Sequence, residues 1–475
     1  MKRGIVAYGV YLPYWRLARQ SIADALEIPA SQGMRSVASY DQDTTTMAVE
    51  AGRVTLTAAP EGESPTELVL ATAEPAYFDK TNAVAVHAAL GLERSCLAFD
   101  MNGAVRSGSA ALRYAARAEG PALAVLSDLR SGLAGSVDER EGGDGAAAFL
   151  FGSGTDVIAE EVGYASATAE FLDRWKLPGE SASHLWEERF GEHAYLPLAE
   201  EAITAALKQA GVTAGDIDHL VVTGSHARAV RAVQRSIRLR TGALVDDLTG
   251  AIGNTGTAHQ GMVLASVLDV AAPGALILAL TLADGAEARI LRVADAILAY
   301  RRRQQPSSTV SAQIAAGRTD LTYARFLTWK DQLRREPPRR PDPTPPAAPP
   351  AARNENWKFG FTASRCKVCG TRLVPPRRVC IACGATDQMT EERLAGVPGV
   401  VATYTVDRLA FTPNPPMVVA VIDFDGGGRF RCELTDVDPQ MVAIGDRVEM
   451  TFRRVSTSQG IHNYFWKARP IRGKE

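Results

Sequence analysis

Cysteine is scarce in this chain: there are six in 475 residues, and four of them fall in two C-x-x-C pairs. Six is too few for a disulfide scaffold, and paired C-x-x-C motifs read as metal ligands in a reducing compartment, the cytoplasm. Long apolar runs are also missing. None reaches the ~18 residues that span a bilayer, so no membrane partner is expected. Residues 1–13 are a basic pair followed by a strand-like run with no small-residue cleavage site, which reads against secretion. A surplus of one charge is absent as well. Fifty-two Lys and Arg against 54 Asp and Glu leave −2, which gives no field for gathering nucleic acid.

What is present is a globular composition, 46% hydrophobic and 22% charged, with length for two or three domains. Residues 4–12 (GIVAYGVYL) read as an opening strand closed by Pro13. Residues 41–58 have helical spacing, with Asp43 or Thr44 as N-cap. ELVLATA (67–73) has the continuous apolar character of a strand buried on both faces, and it ends on Glu74. Open α/β sheets place their chemistry at such an edge. A helix over 81–90 and a strand over 95–100 lead to FDMNGAVRSGSAAL (99–112), a strand breaking into small residues and then a helix. There the backbone is open to close approach and the helix dipole favours negative charge. Residues 122–126 are a further strand. Residues 171–195 read as an irregular insertion, whose His184 and His193 are structural or solvated. A helix over 202–210 precedes IDHLVVTG (217–224). Laying LVLATAE over LVVTGSH puts Glu74 and His226 at equivalent strand ends, the mark of an internal duplication. Strands over 275–281 and 288–293 complete a mixed, mostly parallel sheet.

These stretches resemble the thiolase superfamily, in the branch of HMG-CoA synthase and ketoacyl-ACP synthase III. SYDQDTTTMAVEA (39–51), SDLRSG (127–132) and GDGAAAFLFG (143–152) are similar to segments of that family, and WEERFGEHAY (186–195) resembles the loop region that covers the synthase site, its other reading being a surface excursion packed on its tryptophans. HARAVRAV (226–233) resembles its H-Q-A-N-x-R pattern, and GNTGTA (253–258) its G-N-T-S-A-A, which places Asn254 at the catalytic asparagine. The resemblance implies an α/β thiolase-like fold of two duplicated βαβαβ-type halves, residues 1–165 and 166–300. It also implies a homodimer and a coenzyme A thioester as substrate. In the family an Asp leads by five residues to the nucleophilic cysteine; counting from Asp100, that position holds Val105. Glu74, His226 and Asn254 are the catalytic candidates by resemblance, as acid/base and thioester-binding groups. Val105 has no lone pair and cannot be acylated. Cys96, nine residues upstream, reads as a buried small hydrophobe, and Ser107 and Ser109 as helix-packing residues.

Beyond these halves, residues 301–357 hold a charged helical segment and PPRRPDPTPPAAPP (337–350), eight prolines in fourteen residues. The latter reads as an extended spacer of up to roughly 40 Å. Over 358–392, Cys366, Cys369, Cys380 and Cys383 form C-x2-C-x10-C-x2-C with glycine after each pair. Four thiolates suit a structural Zn2+ ion with no open position; iron would use the same geometry, and a redox pair would not need the second C-x-x-C. Five short Val-, Tyr- and Phe-rich runs over 393–475 suggest an OB-fold β-barrel. Together they resemble the rubredoxin-like zinc ribbon and OB-fold module that accompanies thiolase-like enzymes. That resemblance implies acyl-CoA handling and docking to a partner thiolase subunit.

Three functions follow. The chain is an acyl-CoA carbon–carbon bond enzyme of aldol or retro-aldol type, without an acyl-cysteine. Alternatively it is an HMG-CoA synthase-type acyltransferase, or a non-catalytic scaffold that passes substrate within a thiolase complex.

Overall fold

The computed structural model describes residues 2–29, 31–237, 240–338 and 343–472. Nine strands form one mixed sheet: β1 (Arg3–Tyr11), β2 (Glu67–Thr72), β3 (Leu97–Asn102), β4 (Ala122–Leu129), β5 (Asp144–Ser153), β6 (Ala159–Thr168), β7 (His219–Gly224), β8 (Leu276–Leu282) and β9 (Gly285–Val293). Their spatial order is β7-β8-β9-β6-β1-β5-β4-β2-β3. This order contains the duplication. The first half runs β3-β2-β4-β5-β1, with β2 parallel to both β3 and β4 and the remaining pairs antiparallel. The second half repeats it as β7-β8-β9-β6, with β7 parallel to β8 and then two antiparallel pairs. The counterpart of β3 is reduced to one parallel bridge, Leu220 to Leu244. Antiparallel pairing of β1 with β6 joins the halves.

Continuous burial explains why these strands carry no alternation: Leu68–Ala71 and Ile277–Leu280 are fully enclosed. The helices used below are α1 (Thr44–Ala58), α2 (Ala83–Leu90), α3 (Arg106–Arg117), α4 (Glu188–Ala210), α5 (Ala227–Ser236) and α6 (His259–Leu268). Asp43 caps α1, accepting from Thr46 N at 2.8 Å. Among the described residues no helix is long and apolar enough to cross a membrane.

Three expectations are corrected. The sheet is mixed but not mostly parallel, with three of its eight strand pairings parallel and five antiparallel. The stretch WEERFGEHAY is no irregular loop, because α4 begins at Glu188. Phe171 packs edge-on against Phe190 and Tyr195, at centroid distances of 6.1 and 4.9 Å, and holds these first turns in place. The proline-rich spacer is not extended throughout: Ala348–Arg353 is a helix that takes its prolines in the first turn, where a missing N–H removes no bond. Residues 339–342 of that spacer lie outside the described residues.

The chain divides into two compact units. The first comprises Met1–Ala38, Glu50–Val84 and Glu93–Tyr323; the second comprises Ser39–Val49, Ala85–Leu92 and Ala324–Glu475. Within the second, β10 (Thr362–Cys366), β11 (Arg372–Leu373) and β12 (Met389–Arg393) form a small sheet. The strands β13 (Gly399–Asp407), β14 (Met417–Phe424), β15 (Arg429–Leu434), β16 (Arg447–Ser458) and β17 (Ile461–Pro470) close into a barrel. Against the barrel, Asp41 is fully buried. It pairs with Lys467 at 3.0 Å and Arg453 at 3.4 Å, and accepts from Ser39 Oγ at 2.5 Å and Thr435 Oγ1 at 3.1 Å. Burial alone would raise its carboxyl, but the two cations and the hydroxyls outweigh this and hold it well below the carboxylate range. Lys467 is held correspondingly high, burial being outweighed by Asp41 and Glu433. Asp41→Asn would leave Lys467 with Glu433 and Arg453 with Asp436 and remove the buried charge they share, and is expected to cost about 3 kcal/mol, read by urea denaturation. A loss under about 1 kcal/mol would show the network to be dispensable.

Candidate functional site

The site is built where strands of both halves end. Glu74 lies two residues past β2, its N–H donating to Thr72 Oγ1 at 3.0 Å. His226 lies two residues past β7, the equivalent strand. Thr72 pairs with Asn102 of β3, and Gly103 N donates to Thr72 O at 3.2 Å. The turn that leads into Val105 therefore runs beside Glu74. Val105 occupies the N-cap position of α3, half-buried, with helical φ −55° and ψ −30°. Asp100 anchors the neighbouring loop. It accepts from Asn82 and Ala83 N–H groups at 2.7 Å each, tying down the start of α2 and the chain that follows Glu74.

His226 caps α5, its Nδ1 accepting from Ala229 N at 3.0 Å. A neutral ring bonded in this way carries its proton on Nε2, which makes that nitrogen a donor. Asn254 is held at both ends of its amide: Nδ2 donates to Gly224 O at 2.8 Å, and Oδ1 accepts from Gly256 N at 2.9 Å. Gly224 ends β7, so this bond ties Asn254 to the same strand end as His226. The asparagine loop also reaches the first half. Gly143 N donates to Asn254 O at 2.9 Å, and Thr257 N donates to Asp128 Oδ2 at 2.9 Å. Gly256 has φ +56°, and a Cβ there would lie 2.1 Å from Asp128 Oδ2, so only glycine fits. On α3, a Cβ at Gly108 would sit 2.5 Å from Thr257 O, which shows how closely the Val105 helix approaches the loop.

Asp128 was not singled out from the sequence, where it sat unmarked in SDLRSG. It is fully buried at the end of β4. Burial pushes its carboxyl up to about 6, with the charge of Glu74 adding to the rise and Arg130 and the Thr257 N–H opposing it. Because this value lies above that of an unfolded chain, the native state binds the extra proton between about pH 4 and 6. The group's contribution to stability therefore falls as pH rises through that window and stays reduced above it, by about 3 kcal/mol. Asp128→Asn is expected to flatten that slope in urea titrations run from pH 4.5 to 7.5; an unchanged profile would assign the slope elsewhere.

The base of α3 is bolted to the second half. Arg106 bonds Glu287 at 2.9 Å, and Ser109 Oγ donates to the same carboxylate at 2.5 Å, so Ser109 is more than a packing residue. Cys96 is buried, its thiol pushed up to about 11 by burial first and by Glu67, as suits an inert side chain. His184 stacks on Trp175 and bonds Glu180 at 3.1 Å.

In the second unit the four ribbon cysteines form a separate centre. Both knuckles use one pattern: Gly370 N donates to Cys366 O and Cys366 N to Thr371 O, while Gly384 N donates to Cys380 O and Cys380 N to Ala385 O, all at 2.9–3.0 Å. The sulfurs lie within 4.8 Å of one another, with Cys366–Cys383 at 3.7 Å and Cys369–Cys380 at 3.5 Å. A tetrahedral zinc with bonds of about 2.3 Å sets such sulfurs about 3.8 Å apart, so the donor set fits the ion.

Comparison with known proteins follows the same division. Residues 360–389 match the ChsH2 rubredoxin-like zinc ribbon domain, and 391–453 the ChsH2 C-terminal OB-fold domain. A hydroxymethylglutaryl-CoA synthase of Aeropyrum pernix is 30% identical over 321 residues, covering 64% of this chain and 88% of that protein. A DUF35 domain-containing scaffold protein of Methanocaldococcus jannaschii is 37% identical over 119 residues, 24% of this chain and 84% of that protein. Among solved structures, the HMG synthase of the curacin biosynthetic pathway, in complex with holo donor-ACP, superposes with a TM-score of 0.60 at 20% identity (70% of this chain, 88% of that one). An HMG-CoA synthase complexed with CoA gives 0.59 at 18% (69% and 90%). With the duplicated sheet and the ribbon–barrel region both accounted for, the chain belongs to the hydroxymethylglutaryl-CoA synthase family of the thiolase superfamily, extended by a zinc ribbon and an OB-fold barrel.

Proposed function

We propose that the protein forms or cleaves a carbon–carbon bond in an acyl-CoA without passing through an acyl-enzyme. One observation carries this reading: Val105, which the resemblance sets at the position of the family's nucleophile, lies on the turn that follows β3, beside the strand end that leads to Glu74. Valine offers no electron pair, so the covalent half of the synthase reaction has no acceptor here. An aldol step needs none. In the cleavage direction Glu74 takes the proton of a β-hydroxyl, and the Cα–Cβ electrons pass into the thioester as a carbonyl compound departs. His226 Nε2–H and the second Nδ2 hydrogen of Asn254 would donate to the thioester oxygen as it gains charge, a contribution of a few kcal/mol. Condensation is the reverse. The synthases and the CoA complex among its relatives favour a CoA thioester as substrate.

A second reading has support of its own. The ribbon and barrel resemble a protein named as a scaffold, so the chain could serve as a non-catalytic subunit beside a cysteine-bearing thiolase. The relatives' names also suggest an HMG-CoA synthase-type acyltransferase, which Val105 disfavours. A homodimer in the cytoplasm is the proposed state; β3 is an edge strand with Leu97 56% exposed, a surface that a second sheet could cover.

Purified protein incubated with a panel of acyl-CoA thioesters should yield cleavage or condensation products by liquid chromatography. After acetyl-CoA, intact mass should show no acyl adduct. A stable adduct would restore the acyltransferase reading. Inactivity alone, with turnover regained beside a co-purifying thiolase, would establish the scaffold.

A further inference from the structure

The carboxylate of Glu74 is met by a residue outside every motif discussed above. Lys176 Nζ forms an ion pair with Glu74 Oε2, with the two side chains 28% and 41% exposed. Lys176 reaches it from a short hairpin in which Arg174–Trp175 pairs with His184–Leu185. The hairpin is held on three sides. Arg174 binds Asp138 with both guanidinium nitrogens, at 2.8 and 2.5 Å. Trp186 N donates to Asp173 O at 2.8 Å, while Tyr195 OH on α4 donates to Asp173 Oδ2 at 3.1 Å. The tip is closed on itself, Leu177 N donating to Glu180 Oε2 at 2.8 Å, with His184 bonded to the same carboxyl group and stacked on Trp175. Lys176 therefore follows directly on two residues whose backbone and side chains are fixed. Its ammonium is delivered to Glu74 by a braced arm.

We propose that Lys176 is the positioning residue for Glu74, fixing the direction in which the carboxylate faces the reacting oxygen. The inference rests on the reading of Glu74 as the acid/base group. An ion pair this exposed contributes little to stability, so its removal should leave the melting temperature almost unchanged. Orientation is a different matter: a carboxylate turned away from the proton it must take can lose on the order of 10–100-fold in rate. The contact is a single point charge on one carboxylate oxygen, which another cation can supply.

The test compares kcat and KM for the wild type, Lys176→Met, Lys176→Arg, Glu74→Gln and the Lys176→Met/Glu74→Gln double variant, on the acyl-CoA turned over in the panel. Lys176→Met should lower kcat about 10–100-fold with KM changed less than about threefold, and Lys176→Arg should recover most of the loss. Once Glu74 is Gln, removing Lys176 should change kcat less than about twofold. If Glu74→Gln leaves turnover intact, the acid/base reading falls and this proposal with it. If Glu74→Gln is slow and Lys176→Met is silent or additive with it, the role of Lys176 alone is overturned. Hydrogen exchange of the hairpin amides gives a readout without substrate. Because the arm is braced elsewhere, exchange in Lys176→Met should match the wild type, so that its loss in kcat comes from Glu74 alone; faster exchange beside that loss would assign it to a loosened hairpin and overturn the role.

Discussion

Cys366→Ser, or a strong chelator applied to the wild type, is expected to unfold the ribbon. Structural zinc sites in small domains carry apparent binding free energies of about 10–16 kcal/mol at neutral pH, and that energy is folding energy. Beyond the metal site the ribbon is held by Glu392, which binds Arg365 and Arg372, and by the buried Phe361, Ala363 and Leu373. Its sheet has three strands, one of them only Arg372–Leu373, and the knuckle tips leave Val368 and Ile381 exposed. The four sulfurs sit where one ion would draw them together; without it, thiolates this close repel. Atomic emission should report one zinc per chain, and far-UV dichroism and protease resistance over 360–393 should drop together when it is removed. Retention of both after complete zinc loss would mean that backbone bonds suffice.

Glu74→Gln carries the second large effect. The substitution keeps the shape of the side chain and removes both its charge, with the ion pair to Lys176, and its ability to carry a proton, so a loss of about 10²–10⁴ in kcat is expected. His226→Ala should act differently. It removes the Nε2 donor and also the N-cap of α5, so turnover falls with a loss of about 1 kcal/mol in stability. Steady-state kinetics on an accepted acyl-CoA, with thermal melts alongside, separate the two. Unaltered carbon–carbon chemistry in both variants would sink the mechanism and leave the scaffold reading in possession.

What the sequence disclosed and what it withheld divide along a physical line. The duplication was legible because buried parallel strands must be apolar throughout, so LVLATAE and LVVTGSH could be laid over one another; the sheet order repeats accordingly. The ribbon was legible because metal ligation imposes spacing. Asp43 as the cap of α1 is a local matter, settled within three residues. Asp128 and Lys176 were not legible. Nothing in SDLRSG says that its aspartate faces Thr257 in the other half, and nothing in RWKLP says that its lysine meets a glutamate about a hundred residues earlier. Their meaning comes from which strand ends the topology gathers. The start of α4 was missed because the aromatic packing that secures it, Phe171 on Phe190 and Tyr195, lies outside the helix's own periodicity.

The second compact unit draws its members from both ends of the chain, and this orders events during synthesis. Asp41 and Arg453 are 412 residues apart, and neither is solvated once in place. On the ribosome, therefore, residues 39–49 emerge early and wait, their carboxylate unpaired, until the barrel strands have been made. Contacts of such separation carry a large loop-closure entropy and form late. A fragment ending at the proline-rich segment would keep all nine strands of the sheet and lack Lys467, Arg453 and Thr435, the partners of Asp41 from the barrel. The natural place to cut this chain by composition is thus not a place where it can be divided.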